Sequence, residues 1–131
     1  GQPNMNLVPA TVLGTDAAGL AVEFDGGHRV VLPVEPGSAK TGDRVEVGLR
    51  PENLRQGEGL SLRLRVLERL GGVAIVHGQS ADGGRICASL AGDAAVTEGE
   101  TIGLSFSPAD AHVFDAEGRV MRRRQAPALA A

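Results

Sequence analysis

The sequence predicts an all-β protein made of two small barrels in tandem, with almost no helix. Three observations predict this fold class. Apolar and polar residues alternate over short stretches along most of the chain, which is typical of strands with one buried face. Glycine-rich turns separate these stretches, and 19 glycines and seven prolines interrupt the 131 residues. The same order of strands and turns then occurs twice.

The alternation is clearest in four stretches, which are "RVEVGL" (44–49), "SLRLRVL" (61–67), "RICASL" (85–90) and "TIGLSF" (101–106). We expect each to be a strand whose apolar side chains point into a barrel. The side chains expected to face inward are Val45, Val47, Leu49, Leu62, Leu64, Val66, Ile86, Ala88, Leu90, Ile102, Leu104 and Phe106.

The repeat is most visible where each half ends, in "GDRVEVGLRPENL" and "GETIGLSFSPADA". Proline follows the last strand in both copies, so we expect "PENL" and "PADA" each to form a single helical turn. Each half has about 55 residues, the size of a small five-stranded barrel of the OB type. The sequence therefore predicts two OB-like units, residues 1–58 and 59–121, and a disordered tail, residues 122–131.

The composition disfavours a nucleic-acid partner. The formal net charge is −3, whereas binding to a phosphate backbone requires a basic surface. The aromatic residues are Phe24, Phe106 and Phe114, and their strand patterns predict core positions, so no aromatic side chain is left to stack on bases.

The sequence shows no recognisable catalytic apparatus. His28, His77 and His112 are scattered, and the chain has neither a nucleophile elbow nor a P-loop. Cys87 is the single cysteine, so no internal disulfide or cysteine metal site is expected, and its apolar surroundings predict a small core residue. We expect no catalytic, metal or cofactor site in this chain.

Four segments occur in an order that resembles a known family: "PNMNLVPA", "VGLRPENL", "VLERLGGVAIVHG" and "SPADAHVFDAEGRV". Together, over about positions 3–121, they resemble the C-terminal domain of ABC transporter ATP-binding subunits of the carbohydrate-importer type, the maltose and glycerol-3-phosphate class. In that family the domain is called the regulatory or TOBE domain, and it is built from OB-like (TOBE/MOP-like) barrels.

The resemblance implies a non-catalytic regulatory and dimerisation domain of a bacterial importer. It implies that ATP and magnesium bind in an N-terminal ATPase domain, and that the subunit works at the cytoplasmic face of the inner membrane. The implied partners are a second copy of the subunit, its own ATPase domain, the membrane permease subunits and, in some members, a regulatory protein. An alternative is a small-molecule or oxyanion-binding TOBE module. The Ser-Ala-Arg-Asn run associated with the related molybdate-binding barrels is absent here.

The segment that follows the last strand of the first predicted barrel is a candidate contact surface for a partner or for the ATPase domain. Arg50, Glu52 and Asn53 follow the last strand of the first copy, whereas the second copy has Ser107 and Ala109 where the first has Arg50 and Glu52. A purely structural role also fits, because Glu52 suits a first helical turn and Asn53 can help to close it.

Three further residues are candidates for such contacts. Asp110 and His112 are close enough in sequence to pair across the second turn. Their side chains would then either hold the last strand in place or contact a partner. Arg69 precedes a glycine turn, where we expect its side chain to be free for a surface contact.

Overall fold

Short antiparallel strands make up most of the chain. The computed structural model describes residues 4–124. Within them lie nine strands: β1 (Asn6–Asp16), β2 (Gly19–Phe24), β3 (Arg29–Leu32), β4 (Arg44–Leu49), β5 (Arg55–Arg69), β6 (Val73–Ser80), β7 (Arg85–Ala91), β8 (Thr101–Ser105) and β9 (His112–Phe114). Two single 3-10 turns, Pro51–Asn53 and Pro108–Asp110, are named here the first and second exit turns. Both begin with proline, as the sequence predicts.

The strands form two curled antiparallel sheets, in the orders β3-β2-β1-β4-β9 and β7-β6-β5-β8. The predicted all-β class with OB-like barrels is confirmed. The sheets do not follow the predicted division of the chain at residues 58 and 59, because that boundary lies inside β5. In addition, β9 pairs with β4 and so belongs to the first sheet, although the sequence places it in the second unit.

The predicted inward-facing residues are buried with one exception. Val66 is 47% exposed, whereas Leu62 and Leu64 are fully buried. A register shift between Leu64 and Val66, in the pairing of β5 with β6, reverses the alternation at this point. The prediction that Val66 faces the core is therefore wrong, because a bulge changes which side chain points inward.

Two other core predictions are also corrected. Cys87 is only half-buried, because it lies on the outer face of β7, between the buried Ile86 and Ala88. Burial and then the charge of Glu68 raise the pKa of its thiol. Phe114 is likewise half-buried, on the outer face of β9.

The two sheets meet at a polar and an aromatic contact. The side-chain amide of Asn6 in β1 donates to the carbonyl of Cys87 at 2.9 Å, and its Oδ1 accepts from the Cys87 N–H at 2.8 Å. The ring of Phe24 in β2 meets the ring of Phe106 edge to face, with 6.0 Å between centroids. These contacts join two units that are each small for a stable core.

Backbone hydrogen bonds fix the segment between β9 and Arg124. The Glu35 N–H donates to the Arg122 carbonyl and the Arg124 N–H to the Pro33 carbonyl, both at 2.8 Å. Residues 122–124, predicted to belong to a disordered tail, are instead held by backbone hydrogen bonds. The remainder of that predicted tail, 125–131, lies outside the described residues.

Candidate partner-contact site

Both exit turns adjoin the same end of the β4–β9 strand pair. The first exit turn follows β4, and the second immediately precedes β9. β4 and β9 are antiparallel with Gly48 opposite His112, and the charges of Arg50 and Asp110 both act on the His112 ring. Three of the predicted contact residues, Arg50, Asp110 and His112, therefore come together through a pairing of segments about 60 residues apart.

Arg50, Glu52 and Asn53 form a short surface at the first exit turn. Arg50 has extended backbone angles, and its carbonyl accepts from the Asn53 N–H at 3.0 Å. The next residue, Leu54, is buried and anchors the turn in the core. Glu52 is exposed, and Arg50 and Asn53 are half-buried. The turn thus presents both charges to its surroundings, while its backbone is held in place.

A shallow groove of about 370 Å³ lies beside the first exit turn. Its walls include Glu52, Met5, Asn6 and Cys87. The turn packs on β7, so the groove runs along the contact between the two sheets. A side chain from another molecule that enters it would contact both sheets.

His112 is more closely associated with Arg123 than with Asp110. The Arg123 guanidinium donates to the Ala109 carbonyl, and its Nη2 lies 3.3 Å from the imidazole Nε2 of His112. Among the described side chains, no hydrogen bond joins Asp110 to His112, so the predicted pairing of these two residues is not formed. Instead, the Arg123 guanidinium lies against the imidazole ring, almost equally far from its two nitrogens.

The charges around His112 change its titration. Burial of the ring, followed by the positive charges of Arg123 and Arg50, lowers the pKa of His112 below its ordinary value of 6.5. The carboxylate of Asp110 acts in the opposite direction and is the weakest of the four influences. At neutral pH the ring is therefore uncharged, and the positive charge of this surface comes from the arginines.

Arg69 lies apart from the exit turns, at the end of β5. Its guanidinium donates to the carbonyls of Gly92 at 2.8 Å and Ala94 at 3.0 Å. The expectation that its side chain is free is therefore wrong: it fastens the loop that follows β7. The backbone of Gly71 in the adjacent turn has φ +73°, which explains the glycine there.

Sequence reasoning missed two residues that shape this region. Arg123 falls in the predicted tail, although the turn "DAEG" between "HVF" and "RVM" is a hairpin signal that predicts a return of the chain. Arg55, whose Nη2 donates to the Ser107 hydroxyl at 2.8 Å, ties the start of β5 to the approach to the second exit turn. No local pattern indicates that second contact.

Two structural observations concern function classes other than protein contact. Between residues 4 and 124, no grouping of His, Cys, Asp and Glu side chains is arranged to hold a metal ion. The same part of the chain contains no helix with the length and apolarity needed to cross a membrane.

The architecture has a close match among solved structures. The cytoplasmic molybdate-binding protein ModG superposes with a TM-score of 0.66 over 82% of this chain and 94% of its own, at 14% sequence identity. At that identity the likeness concerns the fold alone. It agrees with the two curled antiparallel sheets described above, which define the class of OB-like barrel domains.

The family is defined by two matches to family models. Residues 47–114 match the TOBE domain model, and residues 1–54 match the model of the MalK OB-fold domain. The chain belongs to the TOBE domain family.

The relatives that it resembles are ATP-binding proteins of importers. The chain is 31% identical to the alpha-glucoside transport ATP-binding protein AglK of Rhizobium meliloti, over 93% of this chain and 35% of the relative. It is 35% identical to the sn-glycerol-3-phosphate import ATP-binding protein UgpC of Cereibacter sphaeroides, over 89% and 32%. It is 28% identical to the maltose/maltodextrin import ATP-binding protein MalK of Yersinia pestis, over 94% and 35%. The chain thus spans about a third of the length of these relatives.

Proposed function

We propose that this chain is the non-catalytic C-terminal regulatory and dimerisation domain of an ABC importer ATP-binding subunit that energises uptake of a sugar or related solute. The observation that carries the proposal is the coverage of the relatives. Import ATP-binding proteins align with 89% to 94% of this chain but with only about a third of their own length. The matched third corresponds to a TOBE and OB-fold module, so the ATPase machinery belongs to the rest of such a subunit.

The remaining parts of the proposal follow from that assignment. ATP and magnesium bind to an ATPase domain that precedes this one in the same subunit. The subunit contacts membrane permease subunits from the cytoplasmic side, and a regulatory protein is a further partner. Each of these roles belongs to the assembled transporter rather than to any residue described above.

The exit-turn surface is the part of this domain that we assign to contact with a second subunit. Its backbone is held in place, and it carries charges that the second exit turn lacks. Arg50 and Glu52 at the first exit turn correspond to Ser107 and Ala109 at the second. Glu52 and Arg50 both reach the surface, and the adjacent groove offers space to a side chain of a partner. Charged groups at such a rim select and orient a partner more than they add affinity.

Sedimentation velocity of the 131-residue chain tests this assignment. We expect concentration-dependent dimerisation, and we expect Arg50→Glu to weaken it by about tenfold, because a reversed charge meets the partner's complementary group. Arg29→Glu is the matched control, since Arg29 is an exposed arginine on β3 that pairs only with Glu23 among the described residues. A strict monomer at about 1 mM, or equal weakening by both variants, would contradict a dimer formed through this surface.

The alternative function, oxyanion binding, has one supporting feature. A cleft of about 520 Å³ beside Asn6 is lined by Arg65, His77 and Arg85, which together offer nitrogen donors to an anion. Titration calorimetry with molybdate, sulfate and phosphate separates the two functions. Saturable binding in the micromolar range would favour the alternative over the regulatory role.

A further inference from the structure

The first sheet is completed by the segment Val120–Arg124, named here the closing strap. The strap runs back along β9, where the Met121 N–H donates to the Val113 carbonyl at 2.7 Å. It then reaches the residues after β3, where Val34 and Arg123 form an antiparallel bridge flanked by the hydrogen bonds of Glu35 and Arg124. The strap therefore joins the two outer edges of the five-stranded sheet, β3 and β9.

One side chain fastens the strap to the second exit turn. The Arg123 guanidinium donates to the carbonyl of Ala109 through Nη1, and its Nη2 faces the ring of His112 at 3.3 Å from Nε2 and 3.5 Å from Nδ1. A guanidinium carries a positive charge and only donors, so this contact is favourable while the imidazole is neutral and becomes repulsive once the ring is protonated.

The charges that face His112 come from three elements. Arg123 approaches from the strap, Arg50 from the end of β4, and Asp110 from the second exit turn. Glu46 lies two residues before Gly48 on β4, opposite Phe114. The two arginines outweigh Asp110, so a proton on the ring is disfavoured as long as the strap is closed.

We propose that the closing strap is a pH-sensitive latch, in which protonation of His112 repels Arg123 and releases Val120–Arg124 from the barrel. The sign follows from linkage. Burial of the ring, and then the charge of Arg123 on the closed strap, lower the pKa of His112 below 6.5, so the stabilisation is complete above about pH 6.5 and is lost as the pH falls through the lower value of the folded protein. This regulation is separate from dimerisation and is tested on the dilute monomeric chain.

Amide hydrogen exchange, expressed as protection factors, measures the opening directly. Between about pH 7.5 and pH 4.5 we expect protection of the Glu35 and Arg124 amides to fall by roughly three- to tenfold relative to the Leu64 amide. Leu64 is a suitable reference because its amide donates to the Glu100 carbonyl in the second sheet. His112→Gln should abolish this selective loss, whereas His77→Gln, which changes a histidine of β6, should retain it.

A second variant keeps the test decisive if His112→Gln does not fold. Arg123→Gln retains a donor for Ala109 but removes the positive charge, so the pKa of His112, followed by NMR, should rise towards 6.5 and the selective loss of protection should shrink. An equal loss of protection at Glu35, Arg124 and Leu64 would overturn the latch. So would a pKa of His112 that does not respond to Arg123→Gln, or a selective loss that persists in His112→Gln.

Discussion

Asn6→Ala is expected to lower the free energy of unfolding by about 3 kcal/mol, because it leaves buried backbone groups without partners. The Asn6 amide donates to the carbonyls of Leu49 and Cys87, both at 2.9 Å, and accepts from the Cys87 N–H at 2.8 Å. Alanine removes all three hydrogen bonds at the contact between the two sheets. Urea denaturation measures the loss, and the exposed Asn4→Ala is the matched control, with an expected change within about 0.5 kcal/mol.

The variant Asn6→Asp separates hydrogen bonding from side-chain volume. The carboxylate keeps the acceptor for Cys87 but turns negative oxygen towards two carbonyl oxygens, which raises its pKa in the folded state. Its destabilisation should therefore be largest at neutral pH and should decrease as the pH falls and the carboxyl takes up a proton.

A loss below about 0.5 kcal/mol in Asn6→Ala would contradict the structural role assigned to this amide.

Gly78→Ala is expected to cost about 3 kcal/mol of stability, because the added methyl group has no space. Gly78 lies in the middle of β6, where a Cβ atom would overlap the carbonyl oxygen of Arg63 and lie 2.8 Å from Cδ1 of Leu62. The obstructing oxygen belongs to the backbone of the neighbouring strand, so relief requires β5 and β6 to separate. Thermal and urea unfolding measure the effect.

Two other glycines provide graded controls for Gly78. An alanine methyl group at Gly14 in β1 would have no other atom within 4 Å, so Gly14→Ala should be neutral or stabilising by about 0.5 kcal/mol. A methyl group at Gly48 in β4 would overlap the sulfur of Met5 and lie 3.0 Å from Cε2 of Phe114, and both belong to side chains rather than to the backbone, so Gly48→Ala should fall between the two. A loss in Gly78→Ala no greater than in Gly14→Ala would show that the strands yield more easily than their pairing indicates.

Much of the local structure follows from the sequence, because each strand is buried on one face. Alternation predicts β4, β7 and β8 with their inward side chains, and proline predicts both exit turns. The exception at Val66 arises because a bulge adds one residue on one side of a strand pair. A single sequence does not show which partner strand lacks that residue.

The arrangement of distant segments is the part that local patterns do not predict. The pairing of β9 with β4 brings His112 beside Gly48, and the bridge of Arg123 with Val34 orders a segment that has no strand pattern. Asn6 reads as an ordinary polar residue at the start of a strand, and its role depends on Cys87, which is 81 residues away. Such contacts depend on closure of the barrels, so the sequence predicts the candidate residue His112 without its neighbour Arg123.

The central claim is that this domain is the C-terminal part of an importer ATP-binding subunit, and sequencing the gene on the 5′ side of the Gly1 codon tests it most directly. The proposal predicts a continuous reading frame with a Gly-x-x-x-x-Gly-Lys-Ser/Thr loop, between a strand and a helix, about 200 to 250 residues before Gly1. A frame that begins close to Gly1, or one that encodes a domain without this loop, would contradict the claim.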